Sequence, residues 1–167
     1  MPFPSSHLDL ALVPAVVDRP LPEEAIEALL RAWRSRGILD GLSAGERADA
    51  LVAGGFERVR IESFPHVKLW SNRQGGFRAT CRSCHETVTG AFSAAVTAWR
   101  AGGERQFTCP RCGTIQPLEH ALLEPPGAFA TWALVIAGAA DGEIAAAAQL
   151  EIEEQLGAMR LVWRRMG

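Results

Sequence analysis

The chain has 167 residues, 17 of them basic and 19 acidic, giving a formal net charge of -2, and 48% of it is hydrophobic. That length suits one domain with a sizeable core, and the composition excludes a disordered chain, in which low hydrophobicity accompanies high net charge. The near-balance of charge argues against a generic nucleic-acid or anionic-membrane binder.

No segment approaches the ~20 apolar residues that span a bilayer. Met1 to His7 has no basic region, and Asp9 and Pro14 interrupt the apolar run behind it, so neither a signal nor a transit peptide is read. The expected compartment is the cytoplasm, where thiols stay reduced and cysteines serve metal or redox chemistry before disulfides. Lys68 is the only lysine and lies between Val67 and Leu69, which excludes the Gly-Lys-Ser/Thr of a P-loop. The alanine and arginine bias resembles that of GC-rich bacterial genomes, a habit of coding rather than a function.

In chain order, Leu8 to Val17 reads as a buried strand, with Pro14 at an edge or bulge. Pro22 suits a first helical position, and Ile26, Leu29, Leu30 and Trp33 then fall on one helical face, with Gly37 as the stop. Ser43-Ala44-Gly45-Glu46 has the form of a capping box and predicts a short helix to about 53. Glu57 to Ser63 alternates, with Val59 and Ile61 opposite Arg58, Arg60 and Glu62, as a half-buried strand does. Val67 to Trp70 and Phe77 to Thr80 read as two strands around a hairpin turn at 71–76. Phe92, Val96 and Trp99 predict a helix ending at Gly102-Gly103, and Pro117 to Pro126 a helical turn and linker. Phe129 to Ala137 is an apolar strand. Asp141 is placed to cap a helix over 142–156, with Ile144, Ala148, Ile152 and Leu156 stacked on one face. In the last strand Met159, Leu161 and Trp163 alternate with Arg160 and Arg164.

Two β-α-β units result, at 1–64 and 126–167. They predict an α+β fold, a ferredoxin-like split β-α-β plait, with a four-cysteine zinc-binding module inserted at 65–125. Charge follows this division: residues 1–56 carry -3, 57–120 carry +4 and 121–167 carry -3.

The four cysteines form two C-x-x-C knuckles, Cys81-Arg82-Ser83-Cys84 and Cys109-Pro110-Arg111-Cys112, with 24 residues between them. Each tight turn presents two thiolates to one ion, and two turns complete a closed tetrahedral site that suits one structural Zn2+. The spacer exceeds the usual 15–20, and a helix around 92–99 absorbs the excess. Cys109-Pro110-Arg111-Cys112-Gly113 resembles a zinc-ribbon knuckle, a resemblance that covers about 81–113. The whole layout resembles small bacterial two-knuckle zinc proteins of no assigned activity. Zinc ribbons stabilise folds, bind nucleic acid or bind proteins, so the resemblance implies a metal rather than a job.

Other readings of the knuckles stay open. Cys81 to His85 matches the C-x-x-C-H of c-type haem attachment, which needs export and leaves the second pair unexplained. A redox dithiol explains one pair only, and an iron–sulfur cluster would use all four. Catalytic zinc is not expected. His85-Glu86 does not continue into H-E-x-x-H, because Thr89 holds the second His position, and the deaminase signature fails as well. His85 is read as a residue beside the metal ligands or in solvent.

Arg73, Arg78, Arg82, Arg105 and Arg111 cluster near the knuckles in sequence, interleaved with Trp70, Phe77, Trp99 and Phe107. They are candidate contacts to nucleic acid or a partner; the simpler reading is solvated arginines around a module core of Phe92 and Trp99. The function expected is that of a non-enzymatic, zinc-stabilised protein-binding module, an adaptor or a toxin-neutralising immunity protein. A nucleic-acid-binding ribbon is the alternative. An enzyme would need His66, His120 and a carboxylate to converge.

Overall fold

The computed structural model describes residues 7–72 and 76–166. Ten strands and three helices follow one another: β1 (His7–Pro14), α1 (Glu23–Ser35), β2 (Leu39–Asp40), β3 (Ser43–Ala44), β4 (Arg58–Trp70), β5 (Arg78–Thr80), α2 (Thr89–Arg100), β6 (Gln106–Thr108), β7 (Ile115–Pro117), β8 (Leu122–Glu124), β9 (Ala128–Ala139), α3 (Ala146–Leu156) and β10 (Met159–Met166). It is a mixed α+β fold. The main sheet has the order β10-β1-β9-β4-β3-β2, and every pairing in it is antiparallel. Strands from both ends of the chain therefore share one sheet.

The two faces of that sheet bury different residues, because side chains alternate along a strand. Leu10, Leu12, Val59, Trp132, Leu134 and Ile136 pack with α1 and α3. From α1 come Ile26, Leu29, Leu30 and Trp33, and from α3 come Ala148, Ile152 and Leu156, as their helical spacing predicts. The other face buries Ala11, Val13, Trp70, Ala133, Val135 and Val162. β9 lies inside with both faces covered, hence its nearly continuous apolar run.

A charged quartet crosses the second face. Arg60 donates to Asp9 at 3.0 Å, and Arg164 pairs with Glu62 and lies 4.0 Å from Asp9. Burial raises the Glu62 carboxyl, but the hydrogen bond from Arg164 and the charges of Arg164, Arg60 and Lys68 outweigh it, so the carboxyl is held below its ordinary 4.5.

Several expectations are corrected. Arg164 is 2% exposed, while Trp163 is 38% exposed and donates its indole N–H to Gly142. The alternation in β10 is real, but Val162 and Arg164 share the more buried face, and carboxylates receive the arginine. Pro14 ends β1, which pairs on both sides and is not an edge. Ser43 opens no helix: it sits in β3, and only one 3-10 turn, Ala48–Ala50, follows. The reason is a close approach, since the Gly45 N–H bonds Ile38 O at 2.8 Å and a Cβ there would stand 2.3 Å from Gly37 O. Asp141 caps nothing, because α3 starts at Ala146 with no side-chain cap. The expected hairpin at 71–76 does not pair its strands: β4 pairs with β9, and β5 with β8. Residues 73–75 of that turn lie outside the described residues. The linker expected at 117–126 contains β8 as well as the turn Leu118–His120.

β4 runs through 65 to Trp70 in the main sheet, with a register shift between Ser63 and Lys68. Five residue steps of β4 there face two of β9, from Trp132 to Ala130. This bulge accommodates Pro65, which has no N–H for a ladder.

Beyond β4 the chain builds a small module of two two-stranded antiparallel sheets, β5–β8 and the hairpin β6–β7, with α2. Its core centres on the fully buried Phe92, whose ring meets Phe77, Phe107 and Phe129 edge-on at 5.5, 5.9 and 6.4 Å. Trp99 is partly buried at the rim, 5.6 Å from Phe129. Leu69 of β4 and Phe129 of β9 belong to this cluster, so module and sheet share a core.

Candidate metal centre

The two knuckles are built alike. After β5, the Cys81 N–H bonds Glu86 O at 3.0 Å and the His85 N–H bonds Cys81 O at 2.9 Å. At the tip of β6–β7, the Cys109 N–H bonds Thr114 O and the Gly113 N–H bonds Cys109 O, both at 2.9 Å. Each turn thus brings its two thiols to one side. The residue after the second cysteine takes a left-handed backbone in both, Gly113 at φ 75° and His85 at φ 60°. Among the described residues His85 is the one non-glycine with positive φ. Its place in the second knuckle is a glycine's, a role that sequence reading missed.

All four Sγ atoms, of Cys81, Cys84, Cys109 and Cys112, lie within 4.8 Å of one another. The cross-knuckle distances are 3.8 Å for Cys81–Cys112 and 3.7 Å for Cys84–Cys109, and none of the four is in a disulfide. A tetrahedron with metal–sulfur bonds of about 2.3 Å has sulfur–sulfur edges of about 3.8 Å. The four cysteines are therefore spaced to hold one metal ion.

The surroundings favour thiolate at some positions and oppose it at others. Amide donation from Cys84 brings Cys81 down to about 6, against burial and with help from the Gln116 side chain. The Gln116 amide is buried and donates to Cys81 Sγ at 3.2 Å. Cys112 is lowered by the hydroxyl and amide of Thr114. Cys84 accepts from the Glu86 amide, but burial and the neighbouring sulfurs outweigh it and push the thiol up to about 12. Without a cation, four thiols this close cannot all ionise; a dication reverses the balance.

Two of the candidate arginines are held by carboxylates. Arg78 pairs with Glu124 at 2.9 Å across β5–β8, and Arg105 with Glu119 at 3.1 Å. Arg82 lines a cavity of about 340 Å3 with Asp18, Glu119, His120 and Arg160. Arg111 is exposed in the second knuckle, and Arg73 lies outside the described residues. His66 lines a separate groove, so His66 and His120 do not meet. No helix among the described residues is long and apolar enough to cross a membrane. The chain matches no family model, no curated protein and no solved structure.

Proposed function

We propose that this chain is a non-catalytic, zinc-stabilised protein-binding module. The four-sulfur cluster carries the reading: a site closed by four thiolates has no open position for substrate, as structural zinc sites are built. A [4Fe–4S] cluster spreads its four cysteines over four irons and a [2Fe–2S] cluster over two, whereas sulfurs all within 4.8 Å of one another suit a single ion. The twin knuckles, each with its left-handed residue after the second cysteine, support a zinc-ribbon-like module. The order β10-β1-β9-β4, with α1 and α3 on one face, supports reading the main sheet as a split β-α-β plait extended by β2 and β3. The pairing of Arg78 with Glu124 and of Arg105 with Glu119 weighs against a nucleic-acid surface.

Elemental mass spectrometry with an absorption spectrum of the same sample tests the metal. About one zinc per chain in a colourless protein is expected. Iron with visible absorption overturns the reading in favour of electron transfer or redox sensing. Pull-down with the metal-loaded chain, followed by titration of the purified candidates, tests the binding role. Failure of every candidate to bind, beside a salt-sensitive affinity for single-stranded DNA, overturns it.

A further inference from the structure

The β4 bulge and the C-terminal end of α2 enclose a groove of about 930 Å3. Phe64, Val67 and Trp99 line it with apolar surface, and Lys68, Arg100 and Arg105 with positive charge. No carboxylate lines it among the described residues. Arg105 shares its charge with Glu119, which approaches from outside the lining at 3.1 Å. Lys68 Nζ stands 4.2 Å from the Phe64 centroid, and Trp99 leans on Phe129.

β4 also offers backbone. Its ladder with β3 consists of Ser43↔Arg58, and no other described strand pairs along its outer edge from Arg60 to Trp70. An open edge is where an extended segment adds by main-chain hydrogen bonds. Pro65 and Lys68 blunt that edge against indiscriminate pairing, as edge strands commonly require. Acids on an incoming strand would add to the negative charge that Glu119 brings to Arg105 and Glu62 to Lys68, and side chains alternating at a period of two would present acids and apolar groups in turn.

We propose that this groove receives an extended acidic segment of a partner protein. Its carboxylates meet Lys68, Arg100 and Arg105, and its intervening apolar side chains meet Phe64, Val67 and Trp99. The inference rests on the protein-binding reading and names its site and the chemistry of its partner.

The test is selection of short random peptides displayed on phage against the zinc-loaded chain. Binding of the enriched peptides is then measured by fluorescence anisotropy. Enrichment of sequences alternating Asp or Glu with apolar residues is expected. The double variant Lys68→Glu, Arg100→Glu should bind them about tenfold or more weakly. Arg100→Lys and the distant exposed Arg31→Glu should stay close to wild type. Zinc content and melting temperature, measured on each variant, separate lost binding from lost folding; where the double variant fails to fold, Arg100→Glu alone carries the comparison. Enrichment of neutral or basic peptides, no enrichment, or affinity unchanged by charge reversal overturns the proposal. So does tighter binding of oligothymidylate than of any peptide. A partner protein that binds the charge-reversed chain as well as the wild type overturns this site and leaves the protein-binding reading standing.

Discussion

At the residue scale, the metal centre depends on groups of three kinds. Cys81 and Cys109 are buried and Cys112 is exposed, so the ion would sit between the module core and solvent. Replacing buried Cys81 by Ser should abolish tight zinc retention, read as metal content after gel filtration against a chelator. Gln116 acts on the cluster without belonging to it. Its loss in Gln116→Leu should weaken zinc affinity about 10- to 100-fold, as removal of outer hydrogen bonds to ligands does. Competition with a chromophoric chelator measures this, and unchanged affinity would show that the amide only fills space. His85 holds a strained conformation, since the left-handed region costs a side chain about 1 kcal/mol. His85→Gly should raise stability by about that amount, and Gly113→Ala should lower it similarly. Chemical denaturation of the zinc-loaded variants decides both.

At the element scale, β10 and β4 meet across β1 and β9 through the charged quartet. Without Glu62, Arg164, which is 2% exposed, keeps only the long 4.0 Å contact to Asp9, and a buried charge with a weakened partner is costly. Glu62→Gln should therefore cost about 3 kcal/mol at neutral pH. The Glu62 carboxyl is held below 4.5, so its contribution is complete above that value. It is lost as pH falls through the lowered folded value. The stability gap between wild type and Glu62→Gln should narrow as pH drops below 4.5 and stay constant above it. Paired denaturation curves check this, and comparing the two proteins cancels the acid loss of metal common to both. A gap independent of pH would mean that the quartet acts by shape alone.

At the scale of the whole molecule, the metal module and the sheet share Leu69 and Phe129, yet their larger cores differ. Stripping the metal should release four thiols to a reporter and lower the melting temperature. Hydrogen exchange should then rise across 77–124, while β1 and β9, paired on both sides, stay protected. Protection lost equally in β1 and β9 would show instead that the metal supports one cooperative unit.

The four clustered cysteines, the buried face of α1, the helix around Phe92 and the apolar strand β9 were legible in the amino-acid order. Each is a local pattern: two cysteines in one turn, an apolar period of 3.6, or an unbroken apolar run. The capping box at Ser43, the cap at Asp141 and the hairpin at 71–76 were misleading for the same reason. A local signal is silent about a backbone carbonyl such as Gly37 O approaching from elsewhere, or about β9 taking the ladder that β5 was expected to form. Alternation in β10 showed two faces, but which arginine is buried depended on Glu62 and Asp9 arriving from other strands. Tertiary structure alone brought the two knuckles within one ion's reach and paired Arg78 and Arg105 with carboxylates. It also opened the groove at the β4 bulge, because each of these depends on distances between segments far apart in the chain.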